Sequence, residues 1–526
     1  MGTEDQHMTS TLDSYDQIPY DAVPITDTHP DHLCVLGRIF GLQTADPERC
    51  RVLEFGCADG ANIIPLAYYL PRSEFVGVEL SQVQVDTGRV LIEQLQLKNI
   101  ELLHHDVLTL PGTLGTFDYI IAHGIFSWVP PHVQERILEL CGQLLAPHGV
   151  TYISYNTLPG WRGRAMLRDM LLHHCRNLHT PRERLQAAEE LLEFLHHGYA
   201  ELESPSVDWL KQEVAHLRQA SRSYLFHEYL EDINAPLLFS DFMQRAQQHG
   251  LKYLCDSDLY TMFPSTLGDA AAKLLEPYDD LLEQEQYMDF LRVRPFRRSV
   301  LCRAPRELQR ELDLDFMRGY GLVAYLTPRE PPALDAPLSQ SYVSASGKDY
   351  AVTHPLTKLA LQHLAAAFPN ALHFDALAET ASAELIRNGA APLAQQRSTL
   401  LSELFSLFSA RALMLTSRTQ LYFNQVSERP HAHRLAHIQA ARGHVSSVRH
   451  IDVDLDPLSR HLLTLLDGTR TRGELVENLI MEIDQDLGTR DALISHDHDV
   501  ALMHQRISGN VDRLLALFAR HGLLSG

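Results

Sequence analysis

Apolar and polar positions change their period several times along this chain, and each change marks an element. Val52, Leu53 and Phe55 flank Glu54 in a short apolar run that predicts a strand. The small-residue turn Gly56-Cys57-Ala58-Asp59-Gly60 follows, and residues 61–70 continue as a helix. Residues 75–80 predict a second strand, with Glu79 at its tip. A helix over 82–97 leads to a third strand that ends near Asp106. Residues 117–130 read as a fourth strand and its exit loop, 133–145 as a helix, and 150–155 as a fifth strand. Strands alternating with helices at this spacing predict an α/β fold with a doubly wound, Rossmann-like parallel sheet.

Further on, the period stays helical. Residues 162–223 show apolar positions at helical spacing and little β signal, as in LQAAEELLEFLHHGYAEL. The stretch 318–355 is rich in Pro, Ser and Gly and reads as a linker. Helices over 356–368, 374–382 and 398–408, closed by the strand-like ARALMLTSRTQLYF, suggest a helix–turn–helix with a small wing. The expected organisation is a polar tail over 1–19, an α/β domain over 20–160, a helical domain over 161–317 and the linker over 318–355. A winged-helix-like domain over 356–430 and a C-terminal helical domain over 431–526 complete it. Before the first strand, Thr28 or Asp31 can cap a helix whose apolar face is Leu33, Leu36, Ile39 and Phe40. Tyr20, Thr28 and His29 on that segment either touch a ligand under a lid or, by the stronger expectation, pack.

Composition narrows the partners. With 45 Lys+Arg against 67 Asp+Glu, the 526-residue chain carries a net charge of −22. Phosphate backbones and anionic lipid are gripped by clustered cations, so this balance speaks against a nucleic-acid partner. The helix STLLSELFSLFS has no cationic face for DNA. The arginines of LRVRPFRR are expected to pair with the chain's own carboxylates. Seven scattered cysteines, none in C-x-x-C spacing, suit a reducing compartment, and no apolar run is long enough for membrane insertion. A polar, acidic N-terminus adds to the expectation of a cytoplasmic protein. His431, His433, His437 and His444 have no ligand-set spacing and read as surface histidines, so no metal is expected.

The chemistry concentrates at the strand ends. Gly56, Ala58 and Gly60 let backbone N–H groups approach a ligand. Glu79, followed by Leu80, can accept both hydrogen bonds of a ribose diol. A pyrophosphate fingerprint would be G-x-G-x-x-G, whereas here Glu54 stands two residues before the first glycine. A carboxylate there repels phosphate and suits a cation.

The run Glu54-Phe55-Gly56-Cys57-Ala58-Asp59-Gly60 resembles the E/D-x-G-x-x-x-G loop of class I methyltransferases. HGIFSWVP, SYNTLPGWRGRAMLRDMLLHH and the motif of Tyr287, Asp289, Phe290, Arg292, Arg294, Phe296 and Arg297 resemble bacterial methyltransferases with a methyltransferase regulatory domain. That group includes outer-membrane-protein lysine methyltransferases. The resemblance implies S-adenosyl-L-methionine as cofactor and S-adenosyl-L-homocysteine as product. It implies that Asp106 and the Val107 backbone meet the adenine, and that Ala122 and His123 lie by the sulfur. Trp128, Tyr155, Asn156 and Trp161 are the candidates for an aromatic acceptor pocket. The expected activity is N-methylation of lysine on a protein partner. A small-molecule acceptor and a non-catalytic cofactor-binding regulator remain as alternatives, and the helical domain is the expected face of a homodimer.

Overall fold

Short apolar runs become strands because a parallel sheet covered on both faces demands side chains that lose nothing by leaving water. Val52, Leu53 and Phe55 are completely buried, as that requires. In the computed structural model, which describes residues 17, 18, 20, 22–344, 347–389, 396–418, 420–485 and 500–525, the chain divides into two units. The first takes Met1–Ala22, Leu36–Ala67 and Pro71–Gln309, and the second Val23–Val35, Tyr68–Leu70 and Arg310–Gly526.

The first unit is built on a seven-stranded sheet. Its strands are β1 (Arg51–Phe55), β2 (Glu74–Glu79), β3 (Ile100–His104), β4 (Phe117–Ala122), β5 (Leu145–Asn156), β6 (Leu251–Asp256) and β7 (Phe296–Arg303). They lie in the order β3-β2-β1-β4-β5-β7-β6. β1, β2, β3, β4 and β5 pair in parallel, while β7 runs antiparallel to both β5 and β6. Two of these strands come from the stretch 161–317 that the sequence reading made a helical domain. They extend the same sheet, with Asn156 paired to Phe296 and Val150 to Cys302.

Between β5 and β6, the amphipathic pattern folds as expected into the helices Trp161–Cys175, Pro181–Tyr199, Pro205–Gln219 and Arg222–Tyr229. Leu167, Leu171, Leu185, Leu192, Val214 and Phe226 make a core of their own. The chain reaches these helices through an elbow at Thr157-Leu158-Pro159-Gly160. Thr157 donates its N–H to Pro295 O (2.9 Å) and its hydroxyl to Arg294 O (2.7 Å). A Cβ on Gly160 would stand 2.2 Å from the Arg294 carbonyl carbon and 2.4 Å from Val293 O. Neither neighbour is a flexible side chain, so Gly160→Ala must push two backbone segments apart. The expected loss is roughly 1–3 kcal/mol of stability, read from urea denaturation; an unchanged midpoint would show that the elbow does not press on the Val293–Arg294 backbone that leads into β7.

Directly behind the elbow lies a buried ion network. Arg297 donates from Nε to Asp289 Oδ2 (2.7 Å) and from Nη2 to Glu285 Oε2 (2.7 Å), with its guanidinium 4.0 Å above the Phe239 ring. Arg294 donates from Nη1 to Asp256 Oδ2 (3.0 Å) and from Nε reaches Asp289 Oδ1 (3.2 Å). The expected pairing of these arginines with the chain's own carboxylates is therefore what the fold contains. It also turns the helix Leu281–Arg292 inside out: Glu285, Met288 and Asp289 are buried, while Tyr287, Phe290 and Leu291 face water.

The second unit contains strand pairs and helices. The stretch 318–355, expected to be a linker, carries β8 (Gly321–Val323), β9 (Leu326–Pro328), β10 (Gln340–Ser344) and β11 (Asp349–Val352). Its Pro and Gly residues mark the turns between short strands rather than an open connection. Lys358 is buried against it and donates from Nζ to Ala333 O (3.0 Å) and Leu338 O (2.7 Å). Three helices follow, Pro355–Ala367, Phe374–Arg387 and Gln396–Ser409, and Met414–Thr416 pairs with β8. A separate core, including Leu462, Leu475, Val511 and Phe518, holds the C-terminal helices.

Thr28 and His29 pack in this second unit. Thr28 donates its hydroxyl to Ile25 O (2.8 Å), and the His29 ring lies 5.8 Å from that of His450. Of the four C-terminal histidines, His433 packs edge-on to Tyr68 and Tyr69, and burial pushes it down to about 4. His437 Nε2 is 2.6 Å from Thr464 O, and His444 Nδ1 is 3.2 Å from Asp452 Oδ1. Among the described residues no helix is long and apolar enough to cross a membrane.

Candidate active site

The parallel strands end on one edge of the sheet, and the loops that leave them carry the chemistry. After β1 the chain turns through Gly56 (φ +66°) and Gly60 (φ +79°), conformations that a side chain would strain. Ala58 adopts φ +49° between them and donates its N–H to Glu79 Oε2 (3.0 Å). The other oxygen of Glu79 accepts from Leu80 N (2.8 Å) and Ser81 N (2.9 Å). The carboxylate at the tip of β2 is thus aimed by three backbone donors and joins the glycine turn to the next helix. Ser81 caps that helix, accepting from Gln84 N at 3.2 Å.

Glu54 is 3% exposed, accepts at Oε1 from Asn62 Nδ2 (2.7 Å), and has no hydrogen-bond partner at Oε2. Burial pushes its carboxyl up to about 7, and the nearby Glu79 adds to the rise. The folded chain therefore holds this proton more tightly than the unfolded chain. The associated stability is complete below about pH 4.5 and is lost as pH rises through about 7. Above neutrality the cofactor-free protein carries a penalty of up to about 3 kcal/mol. Glu54→Gln removes it, so the variant melts higher than the parent at pH 8, by a margin that shrinks at pH 5. An equal margin at both pH values in calorimetry would dismiss the assignment.

Beyond β3, Asp106 accepts at Oδ1 from Leu108 N (2.9 Å), and Val107 is buried beside it. Beyond β4, Ala122 is buried and His123 is half-buried. His123 Nδ1 lies 3.0 Å from the Tyr152 hydroxyl, with the Tyr152 ring stacked alongside and the Phe296 ring edge-on at 6.3 Å. Gly124 (φ +67°) has no atom within 4 Å of where a Cβ would stand, and its N–H donates to Ser154 Oγ (2.9 Å).

The four residues expected in the acceptor pocket do not stay together. Trp128 and Trp161 meet edge to face, with ring centroids 6.1 Å apart. The Asn156 backbone N–H donates to Oγ of Ser127, the residue before Trp128, at 2.8 Å, while its side chain donates from Nδ2 to Asn234 Oδ1 (3.3 Å). Tyr155 instead belongs to the apolar core: it is 1% exposed, stacks on Phe242 at 4.1 Å and shares a 2.9 Å hydrogen bond with Ser299. Successive strand residues face opposite sides of the sheet, so Tyr155 and Asn156 were bound to diverge. Burial raises the Tyr155 phenol well above its usual range. Sequence reasoning missed Asn62, Tyr152, Ser127 and Phe296, which act through partners remote in the chain. It also missed Arg164, which covers Trp161 at 5.5 Å and lies opposite Glu228, a carboxyl that burial pushes up to about 7.

A parallel sheet of order 3-2-1-4-5, closed by an antiparallel β7, with a glycine turn after β1 and an acid at the tip of β2, defines a class I S-adenosylmethionine-dependent methyltransferase. Comparison with known proteins bears this out. Residues 52–149 match the family model "Methyltransferase domain", 221–303 match "Predicted methyltransferase regulatory domain", and 428–523 match "PKMT, C-terminal winged helix domain". The Rickettsia prowazekii protein RP789 is 30% identical over 481 residues, covering 90% of this chain and 86% of its own. RP028 of the same organism is 36% identical over 241 residues, 46% of this chain and 96% of the relative. The structure of PKMT2 from Rickettsia typhi superposes with a TM-score of 0.85 at 28% identity, covering 97% of this chain and 100% of that one, and is also known in complex with AdoHcy.

The chain belongs to this family of methyltransferases, in which the catalytic domain is joined to a methyltransferase regulatory domain and a PKMT winged helix. S-adenosyl-L-methionine is its cofactor and S-adenosyl-L-homocysteine its product. The residues present fit such a ligand: Glu54 has a buried oxygen with no partner, the open space at Gly124 leaves room, and the loop set holds carboxylates rather than a phosphate cradle.

Proposed function

We propose that this enzyme N-methylates lysine side chains of a protein substrate, in the cytoplasm. The observation that carries the reading is the pair of indole rings, Trp128 and Trp161, meeting edge to face in the segments that leave β4 and β5. Aromatic faces attract an alkylammonium and, by excluding water, lower its pKa so that the neutral amine forms. PKMT stands for protein lysine methyltransferase, and the likeness to PKMT2 supports the same acceptor class.

In this reading Gly56, Ala58 and Gly60 line the amino-acid arm of the cofactor, and Glu79 with Leu80 holds the ribose. Asp106 and the Val107 N–H meet the adenine. Ala122 and His123 lie below the sulfur, the imidazole held in place by Tyr152. Bound there, the cofactor supplies an electrophilic methyl group. The chain's own task is to hold the amine lone pair in line with that methyl and to keep water out. Glu54, near neutrality when buried alone, becomes the anionic neighbour of a cation. A homodimer through the helices between β5 and β6 belongs to the same reading, and sedimentation at two protein concentrations tests it.

Incubation of lysate with enzyme and methyl-labelled cofactor, followed by size separation and amino-acid analysis, tests the acceptor. Label recovered as methyllysine in protein bands supports the proposal. Label confined to small molecules replaces it with a natural-product acceptor, and no transfer with intact cofactor binding leaves a regulator.

A further inference from the structure

The helix Leu281–Arg292 presents to water the residues that most helices bury. Tyr287 is 37% exposed, Phe290 41%, Leu291 50%, Val293 59% and Phe296 36%. The cause is the ion network, which draws Glu285 and Asp289 inward and so turns the helix's apolar positions outward. Tyr287, Phe290 and Leu291 stand three and four residues apart, on one helical face. Their rings are ordered against one another: Tyr278 lies 4.4 Å from Tyr287, and Tyr287 lies 5.7 Å from Phe290.

Two observations say what covers this ledge. It is continuous with the active site, because Phe296 at its end pairs with Asn156 in the sheet and touches His123. Its other end is acidic: residues 276–283, EPYDDLLE, hold four carboxylates and no base, all four exposed, and Glu283 lies one turn before Tyr287 on the same face. Arg292 is turned away to the Thr266 hydroxyl. An apolar strip that begins at acids and ends at a methyl-transfer site matches a chain that alternates lysine with large apolar residues. We propose that the ledge Tyr287, Phe290, Leu291, Val293 and Phe296 docks a lysine-bearing apolar segment of the protein acceptor and leads it to the active site. This rests on the lysine methyltransferase reading above.

The probe is a fluorescein-labelled peptide alternating lysine with leucine and phenylalanine, followed by anisotropy, with an oligolysine of equal length as the charge-only control. The mixed peptide is expected to bind, and the Phe290→Ser/Leu291→Ser variant to weaken it by about tenfold or more. S-adenosylhomocysteine affinity and melting temperature serve as controls and should stay as in the parent. Val293→Gly is the second variant. Val293 holds φ +48°, which a β-branched residue adopts only under strain, so glycine relaxes the backbone while removing an apolar contact. It should weaken the peptide without weakening the fold.

Peptide affinity equal to the parent's in both variants, no binding by the parent, or oligolysine binding as tightly as the mixed peptide would each overturn the proposal. So would variants that alter self-association and leave peptide binding unchanged, because the ledge would then be an interface between copies. The two readings fail separately. If no protein accepts methyl groups yet the peptide binds through the ledge, the lysine reading falls alone. If lysines are methylated with an unchanged KM in the variants, the ledge falls alone.

Discussion

Glu79→Ala should raise the dissociation constant for S-adenosylhomocysteine by about three orders of magnitude, roughly 4 kcal/mol. In the proposed cofactor site two charge-assisted hydrogen bonds to a ribose diol would be lost, each of the kind worth about 1.5–3 kcal/mol. The same carboxylate is the acceptor for Ala58, Leu80 and Ser81 N–H groups, so the glycine turn also loses its tie to the tip of β2. Glu79→Gln keeps acceptor oxygen on the side chain but drops the charge, and should fall between the parent and alanine. Isothermal calorimetry on the three proteins decides it. A dissociation constant within threefold of the parent for Glu79→Ala would mean that the nucleoside binds elsewhere.

The second large effect is on stability. Arg297→Met should cost about 3–5 kcal/mol, the usual consequence of removing one partner from a buried charge pair. Arg297 is 1% exposed and compensates Glu285 and Asp289, both completely buried. Arg294 would be left as the neighbouring cation for them and for Asp256. The triple variant Arg297→Met/Glu285→Leu/Asp289→Leu should recover much of the loss, since apolar replacement of the arginine and both of its carboxylates removes the desolvation penalty with the charge, and Arg294 keeps Asp256 as its counter-ion. Equilibrium urea unfolding of parent, single and triple variants measures this. A single variant within about 1 kcal/mol of the parent would show that the network is fully hydrated in solution.

How much of this was legible beforehand depended on where each element finds its neighbours. The five parallel strands and the glycine turn could be read because their signals are local: Val52, Leu53 and Phe55 must all be buried, and Gly56 and Gly60 must turn. The antiparallel pair β6 and β7 could not. The arginines of LRVRPFRR could be expected to meet the chain's own carboxylates, but nothing local names Glu285 and Asp289, supplied by another element, or makes FRRSVLCR a strand of this sheet. Tyr155 was misplaced because β5 is buried along both faces near its end, which hides the alternation that sends the Tyr155 ring onto Phe242 and the Asn156 side chain to Asn234. The linker expectation failed for a similar reason: Pro and Gly signal turns, and only the pairing of Tyr342 with Tyr350 and Pro328 reveals that they separate strands.

The position of β7 between β5 and β6 has a consequence for synthesis. Tyr155 and its partner Ser299 are 144 residues apart, so during translation the rim of the fifth strand waits bare while seven helices and β6 leave the ribosome. A bare strand rim recruits other chains. Expression of residues 20–160 alone should therefore yield aggregates, and soluble catalytic fragments should begin only with truncations that retain the chain through Arg303.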